Sequence, residues 1–156
     1  MKSKWLYFLF TFTFTFATAQ TNLDSLYTVW LDNTQADSTR IKSLNYYIWD
    51  SYLFNQPDSA LIYSDQLLDF SKSKNSYFGI AAAHHLKGIA YYVRSDYDSA
   101  LKSYFDSIEY RKKAEDKKGL SSTLGNIGLI YGIQGNYTAA LILKLDTDWT
   151  NAEGRD

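Results

Sequence analysis

Apolar side chains recur at every third or fourth position along most of the chain, which is the period of an amphipathic α-helix. Leu120, Leu124, Ile127 and Tyr131 form one such stripe. One proline and 8 glycines are few for 156 residues, which favours long helices with short connections. Polar turns are predicted at 54–56, 94–96 and 134–136, and N-cap residues at Asp37-Ser38, Asn75-Ser76 and Asp116.

The chain repeats itself with a forty-residue period. The stretches PDSAL, YDSAL and YTAAL place alanine at Ala60, Ala100 and Ala140, which are evenly spaced by that period. The same register aligns Gly88 with Gly128 without a gap. A fixed period of this length is typical of an array of helix pairs in which each pair stacks on its neighbours.

Two of the repeats share a pattern of small and aromatic residues, G-x2-Y-x8-A-x3-F/Y. It is carried by Gly88, Tyr91, Ala100 and Tyr104 in one unit, and Gly128, Tyr131 and Ala140 repeat most of it in the next. The pattern resembles the tetratricopeptide repeat, here of the exported bacterial type, whose forty-residue unit is longer than the usual one of about 34 residues. The resemblance implies an all-α fold, a right-handed solenoid of about three stacked antiparallel helix pairs. In that family the small residues let two helices approach closely, and the aromatic residues fill the gap between turns.

The register also divides the chain. A lead-in helix is predicted within 20–36, followed by repeats at about 37–75, 76–115 and 116–143. Residues 144–156 break the pattern, because Lys144 stands where Tyr104 stands one unit earlier and the apolar face is lost. A polar cap on the last repeat is one explanation. The explanation that we favour is a chain truncated or frameshifted relative to a longer protein.

The first nineteen residues are predicted to be a secretory signal peptide. Lys2 and Lys4 precede an apolar stretch at 5–16, and the small residues of Ala17-Thr18-Ala19 form a cleavage site before Gln20. The stretch is shorter than the ~20 residues that span a bilayer, so an uncleaved anchor is the weaker alternative. A β-strand is suggested only by its alternating Phe and Thr. Export to the periplasm or the extracellular space follows, with no membrane span in the mature form.

Composition and charge exclude several classes of function. With Lys+Arg 16 against Asp+Glu 17, there is no basic surplus to neutralise a phosphate backbone, so no nucleic-acid partner is expected. The chain has no cysteine, which excludes disulfides, zinc-thiolate sites and thiol catalysis.

The sequence contains no group of residues that indicates an enzyme, a metal site or a cofactor. His84 and His85 are adjacent on a predicted helix, so their side chains point about 100° apart and do not chelate one metal ion. Gly125-Asn126-Ile127-Gly128 lies in the middle of a helix and lacks the Lys-Ser/Thr of a phosphate loop. Asp146 and Asp148 lack the further ligands of a calcium loop.

The first helices of the repeats are expected to line a concave groove that binds a peptide or a partner protein. Trp and Tyr side chains would anchor the bound peptide, and Asn and Lys side chains would form hydrogen bonds with its backbone. The alternative, that each aromatic side chain packs helices instead, stays open. The predicted groove residues are Lys42, Asn45, Trp49 and Tyr52 in the first unit, Ala82, His85, Ile89 and Tyr92 in the second, and Ser122, Asn126 and Leu129 in the third.

The sequence therefore predicts a non-catalytic scaffold for protein–protein interaction, with the uncapped C-terminal end available for self-association. The alternative is the sensory N-terminal fragment of a bacterial signalling protein whose output module, a histidine kinase or a DNA-binding regulator, is missing from this chain. The downstream reading frame separates the two, since the alternative requires an apolar segment of ~20 residues followed by an output domain.

Overall fold

The computed structural model describes residues 23–143, and within that range every regular element is an α-helix. The predicted all-α class is confirmed. The signal peptide at 1–19 and the irregular tail at 144–156 lie outside the described residues. The helices are α1 (23–31), α2 (Asp37–Ser51), α3 (Pro57–Ser73), α4 (Tyr77–Val93), α5 (Tyr97–Lys113), α6 (Lys117–Ile133) and α7 (137–143).

Helix starts follow the forty-residue spacing of the sequence. Helices α2, α4 and α6 begin at Asp37, Tyr77 and Lys117, and α3 and α5 begin at Pro57 and Tyr97. Each of these two series advances by one sequence period at every step. The described chain therefore has the character of a helical repeat.

Short polar side chains start most of these helices. Ser76 Oγ accepts the Gly79 N–H at 3.2 Å, and Asp116 Oδ1 accepts the Gly119 N–H at 2.9 Å, as predicted for two of the three caps. The third prediction is wrong. The N-cap of α2 is Ala36, which has no side-chain acceptor, and Asp37 is already the first helical residue.

The connections after α3, α4, α5 and α6 each turn through a residue with positive φ. These residues are Asn75 (52°), Ser95 (60°), Glu115 (53°) and Gly135 (76°). The Ser76 N–H donates to the Ser71 carbonyl at 2.9 Å, and this bond closes the end of α3. A left-handed residue after the last turn is the usual way to satisfy the free carbonyls of a helix end, and it directs the next helix back along the previous one.

Helices α2, α3, α4 and α5 each pack against the next helix in the chain, and α2 also contacts α4. Because α3 to α6 follow one another after three-residue connections, their packed neighbours run antiparallel. The core contains Ile41, Leu44, Ile48, Leu53, Leu67, Leu86, Ala90, Ala100, Tyr104, Ile127 and Ile130, which are all essentially inaccessible to solvent.

The predicted packing residues lie at close helix approaches in the second unit and at looser ones in the third. A Cβ atom on Gly88 would overlap the ring of Tyr104, so the glycine is what lets α4 lie against this tyrosine. Tyr91 is half-buried against the core. In the next unit, a Cβ on Gly128 would lie 3.7 Å from the Ala140 carbonyl oxygen, which is an ordinary contact. Tyr131 is also half-buried.

Helix α1 closes the N-terminal end of the described chain. Its Trp30 ring packs edge-on against Phe70 of α3, with ring centroids 4.8 Å apart. Arg40 of α2 donates from Nε to the Trp30 carbonyl at 2.9 Å and places its guanidinium over both rings. Among the described helices, none combines the length and the apolar character that a bilayer crossing requires.

Candidate functional site

Helices α2, α4 and α6 present side chains to a shared cavity of about 180 Å³. Its floor is formed by three side chains that are almost fully buried, His85, Ile89 and Tyr104. Its mouth is formed by exposed apolar side chains, Trp49 at 43% and Phe54 at 60% of full exposure, together with Leu129. The remaining lining residues are Tyr92, Ser122 and Asn126.

Most of the predicted groove residues meet at this cavity. Those that line it are Trp49, His85, Ile89, Tyr92, Ser122, Asn126 and Leu129, from all three units. These seven residues lie on α2, α4 and α6, whose starts are spaced by the forty-residue period that was used to select them.

Four predicted groove residues lie elsewhere. Lys42 is exposed and Asn45 half-buried on α2, and Ala82 is buried on α4; none of them lines the cavity. Tyr52 turns towards α3, where its ring stacks on Tyr63 with centroids 4.9 Å apart. The Tyr52 hydroxyl also lies 3.0 Å from the Tyr47 hydroxyl, so this tyrosine packs helices together.

Two cavity residues were missed by the sequence interpretation. Phe54 belongs to the connection after α2, and its ring meets Trp49 edge-on with centroids 6.0 Å apart. Tyr104 was assigned to helix packing alone, but it also forms part of the cavity floor. An exposed aromatic residue in a predicted polar turn was the available signal for Phe54.

A relay of hydrogen bonds from the Gly119 carbonyl through Thr123 to His85 favours one tautomer of the ring. The Thr123 hydroxyl donates its single proton to the Gly119 carbonyl at 2.9 Å. The same hydroxyl lies 3.0 Å from Nδ1 of His85, so it accepts from an Nδ1–H group. Nε2 is therefore a bare acceptor. It has no hydrogen-bond partner among the described residues, and His85 is one of the residues that line the cavity.

The His85 ring is uncharged at neutral pH. Burial lowers its pKa to about 4, and the positive charge of Arg111 acts in the same direction. Asp116 opposes both effects, but its carboxylate is already paired with the Arg111 guanidinium at the junction of α5 and α6. The floor of the cavity is therefore neutral.

Tyr104 also remains uncharged. Burial raises the pKa of its hydroxyl well above the usual range, against a lowering by the adjacent Asn126 amide. None of the residues that line the cavity is an Asp, Glu, Lys or Arg. The site offers aromatic surface, aliphatic surface and a few neutral hydrogen-bonding groups.

The other histidine lies outside this cavity. His84 stacks on Tyr110 with ring centroids 6.0 Å apart, and its Nδ1 is 3.8 Å from Asp106. Within residues 23–143 there is no cluster of three or more His, Cys, Asp or Glu side chains that could hold a metal ion.

Comparisons of the chain with protein-family models, with curated proteins and with solved structures found no match. Function is therefore inferred from the chemistry of the cavity and from the arrangement of the helices around it.

Proposed function

We propose that this chain is a non-catalytic interaction protein that binds a peptide or a partner protein along the face formed by α2, α4 and α6. The observation that carries the proposal is the cavity on that face, which has an exposed aromatic mouth and a neutral, buried floor. Large aromatic side chains in such positions commonly supply most of the free energy of an interface, because they bury much surface and lose little entropy.

The architecture that we propose is a right-handed solenoid similar to that of tetratricopeptide repeats. Three observations support it. The helix starts advance with the forty-residue period of the sequence, consecutive helices pack in order, and α2 contacts α4. The hydrogen bond from His85 to Thr123 likewise joins α4 to α6. First helices stacked in this way form a continuous surface, which suits an extended or helical ligand.

Peptide capture tests this function. A random peptide library displayed on phage is selected against the immobilised chain, and the selected peptides are measured against the double variant Trp49→Ala, Tyr92→Ala. We expect at least about a tenfold loss of affinity, because both changes remove apolar contact area from the cavity wall.

The matched control is the double variant Tyr46→Ala, Tyr77→Ala. These tyrosines lie on the same two helices, are exposed, and do not line the cavity. Their removal is expected to leave peptide affinity unchanged. Equal affinities for all three proteins, with helicity intact by circular dichroism, would contradict binding at this face.

Export is part of the proposal. It is supported by the charged start, the apolar stretch and the small residues that precede Gln20. We expect the exported form to begin near Gln20 when its amino terminus is sequenced. Retention of the whole chain in the cytoplasm, or a start far from this position, would contradict a cleaved signal peptide.

A further inference from the structure

We infer that the cavity is a receptor for one tyrosine side chain of the partner, whose hydroxyl donates a hydrogen bond to Nε2 of His85. The inference rests on the proposed function and gives it a chemical specificity. The ring would enter beside the contacting rings of Trp49 and Phe54 at the mouth, and its hydroxyl would reach the buried floor.

The size of the cavity fits a phenol. An apolar protein cavity of about 150 Å³ binds benzene, and one further water-sized group requires about 10–15 Å³ of cavity volume in the same measure. The cavity described here measures about 180 Å³. It therefore has space for a six-membered ring that carries one hydroxyl group, whereas the bicyclic ring of tryptophan is larger.

The electrostatic character of the wall excludes charged side chains. Moving an ionised group into a wall of aromatic, aliphatic and neutral polar residues costs several kcal/mol unless a counter-charge is present. The charges that act on the pKa of His85 belong to Arg111 and Asp116, which are already paired with each other. A lysine, arginine, aspartate or glutamate of the partner would find no free counter-charge in the lining.

Hydrogen bonding separates tyrosine from phenylalanine. Because Nδ1–H is fixed on Thr123, Nε2 of His85 is an acceptor without a protein partner among the described residues. A phenylalanine ring would fill the cavity and exclude water from that acceptor without supplying a hydrogen-bond donor, which is unfavourable. A phenol supplies the missing donor, and its oxygen can still accept from the Ser122 hydroxyl or the Asn126 amide.

The direct test is a titration of the full chain with side-chain analogues, followed by NMR of the histidine nitrogens. We expect 4-methylphenol to bind and to shift Nε2 of His85. Toluene, which lacks the hydroxyl, and 4-methylanisole, which has no donor, are expected to bind about tenfold more weakly or worse. Equal binding of toluene and 4-methylphenol would overturn the inference, and so would tighter binding of 3-methylindole.

Two matched variants locate the site. Leu129→Trp places a larger side chain at the mouth and is expected to abolish 4-methylphenol binding. Leu141→Trp makes the same change at an exposed position outside the cavity and is expected to leave it intact. Loss of binding in both variants, or in neither, would show that the phenol binds elsewhere.

The peptide selection tests this inference and the proposed function with separate outcomes. Peptides selected on the chain are expected to share a tyrosine, and its replacement by phenylalanine should weaken binding about tenfold. Cavity-dependent capture of peptides without this preference would overturn the tyrosine assignment alone. Binding of 4-methylphenol in the cavity, with no peptide captured there, would overturn the proposed function instead.

Discussion

Replacement of Gly88 by alanine is expected to destabilise the protein by about 3 kcal/mol, at the upper end of the usual cost of overpacking a core. Helix propensity alone predicts the opposite, since alanine is favoured over glycine in a helix interior by about 1 kcal/mol. A steric clash determines the sign of the change in the free energy of unfolding. A Cβ at this position would overlap the aromatic ring of Tyr104, whose Cγ is only 3.0 Å away. Tyr104 is 1% exposed and forms part of the cavity floor, so its ring can withdraw from a Cβ only by giving up buried contacts or by moving into the cavity.

Two glycines of α6 provide the controls. Gly128 is equivalent to Gly88, but a Cβ there would have ordinary contacts, and a Cβ on Gly125 would meet no atom within 4 Å. Gly128→Ala and Gly125→Ala are therefore expected to be neutral or to stabilise by up to about 1 kcal/mol. Urea unfolding followed by circular dichroism measures all three variants.

Because the destabilisation by Gly88→Ala is attributed to the ring of Tyr104, removal of this ring should lower the cost of the substitution. In a Tyr104→Leu background, Gly88→Ala is expected to cost clearly less than it does in the native chain. Such non-additivity is the signature of two side chains in contact. If Gly88→Ala were as harmless as Gly128→Ala, the close approach of α4 to this tyrosine would be wrong.

The helical repeat was predictable because it depends on local, periodic information. Apolar spacing, short polar turns and caps such as Asp116 each act within a few residues of themselves, and the chain uses them three times. The wrong N-cap prediction for α2 shows the limit of such local patterns. Asp37 was expected to precede α2, but the helix starts one residue earlier than that cap implies, with Ala36 before it.

The cavity was only partly predictable, and the reasons are geometric. Register counting assumes that every unit is helical over the same length. Helix α2 has 15 residues where α4 and α6 have 17. Tyr52 therefore lies past the end of α2 with φ −124°, whereas its equivalent Tyr92 is still helical and lines the cavity.

The position of Tyr104 at the cavity could not be predicted from the sequence, because it depends on how three helices pack together. This residue is on α5, a second helix, and only the first helices were expected to line the groove. It reaches the cavity only because Gly88 of α4 leaves space for the ring to pass. The local sequence indicates that the two residues interact, but it does not show what lies on the far side of the ring.

Acidification is expected to destabilise the fold through His85 before the carboxylates titrate. Burial, assisted by the charge of Arg111, lowers the folded-state pKa to about 4, against about 6.5 in the unfolded chain. Well above pH 6.5 the ring is neutral in both states and this histidine has no effect on stability. Between these values the unfolded chain binds a proton that the folded chain does not, so stability falls with decreasing pH. The loss is about 2 kcal/mol at pH 5 and reaches about 3 kcal/mol near pH 4.

Urea unfolding at pH 7.5 and at pH 5 measures this loss, and two histidine variants assign it. His84 acts in the same direction, because burial lowers its pKa too, with Asp106 opposing. Because His85 is the more deeply buried of the two histidines, His84→Gln is expected to remove only a small part of the pH dependence. His85→Gln keeps an N–H group for Thr123 but does not titrate, so its stability should change much less between the two pH values. A pH dependence equal to that of the native chain in His85→Gln would show that the ring is not held neutral by burial, and the uncharged cavity floor would then be wrong.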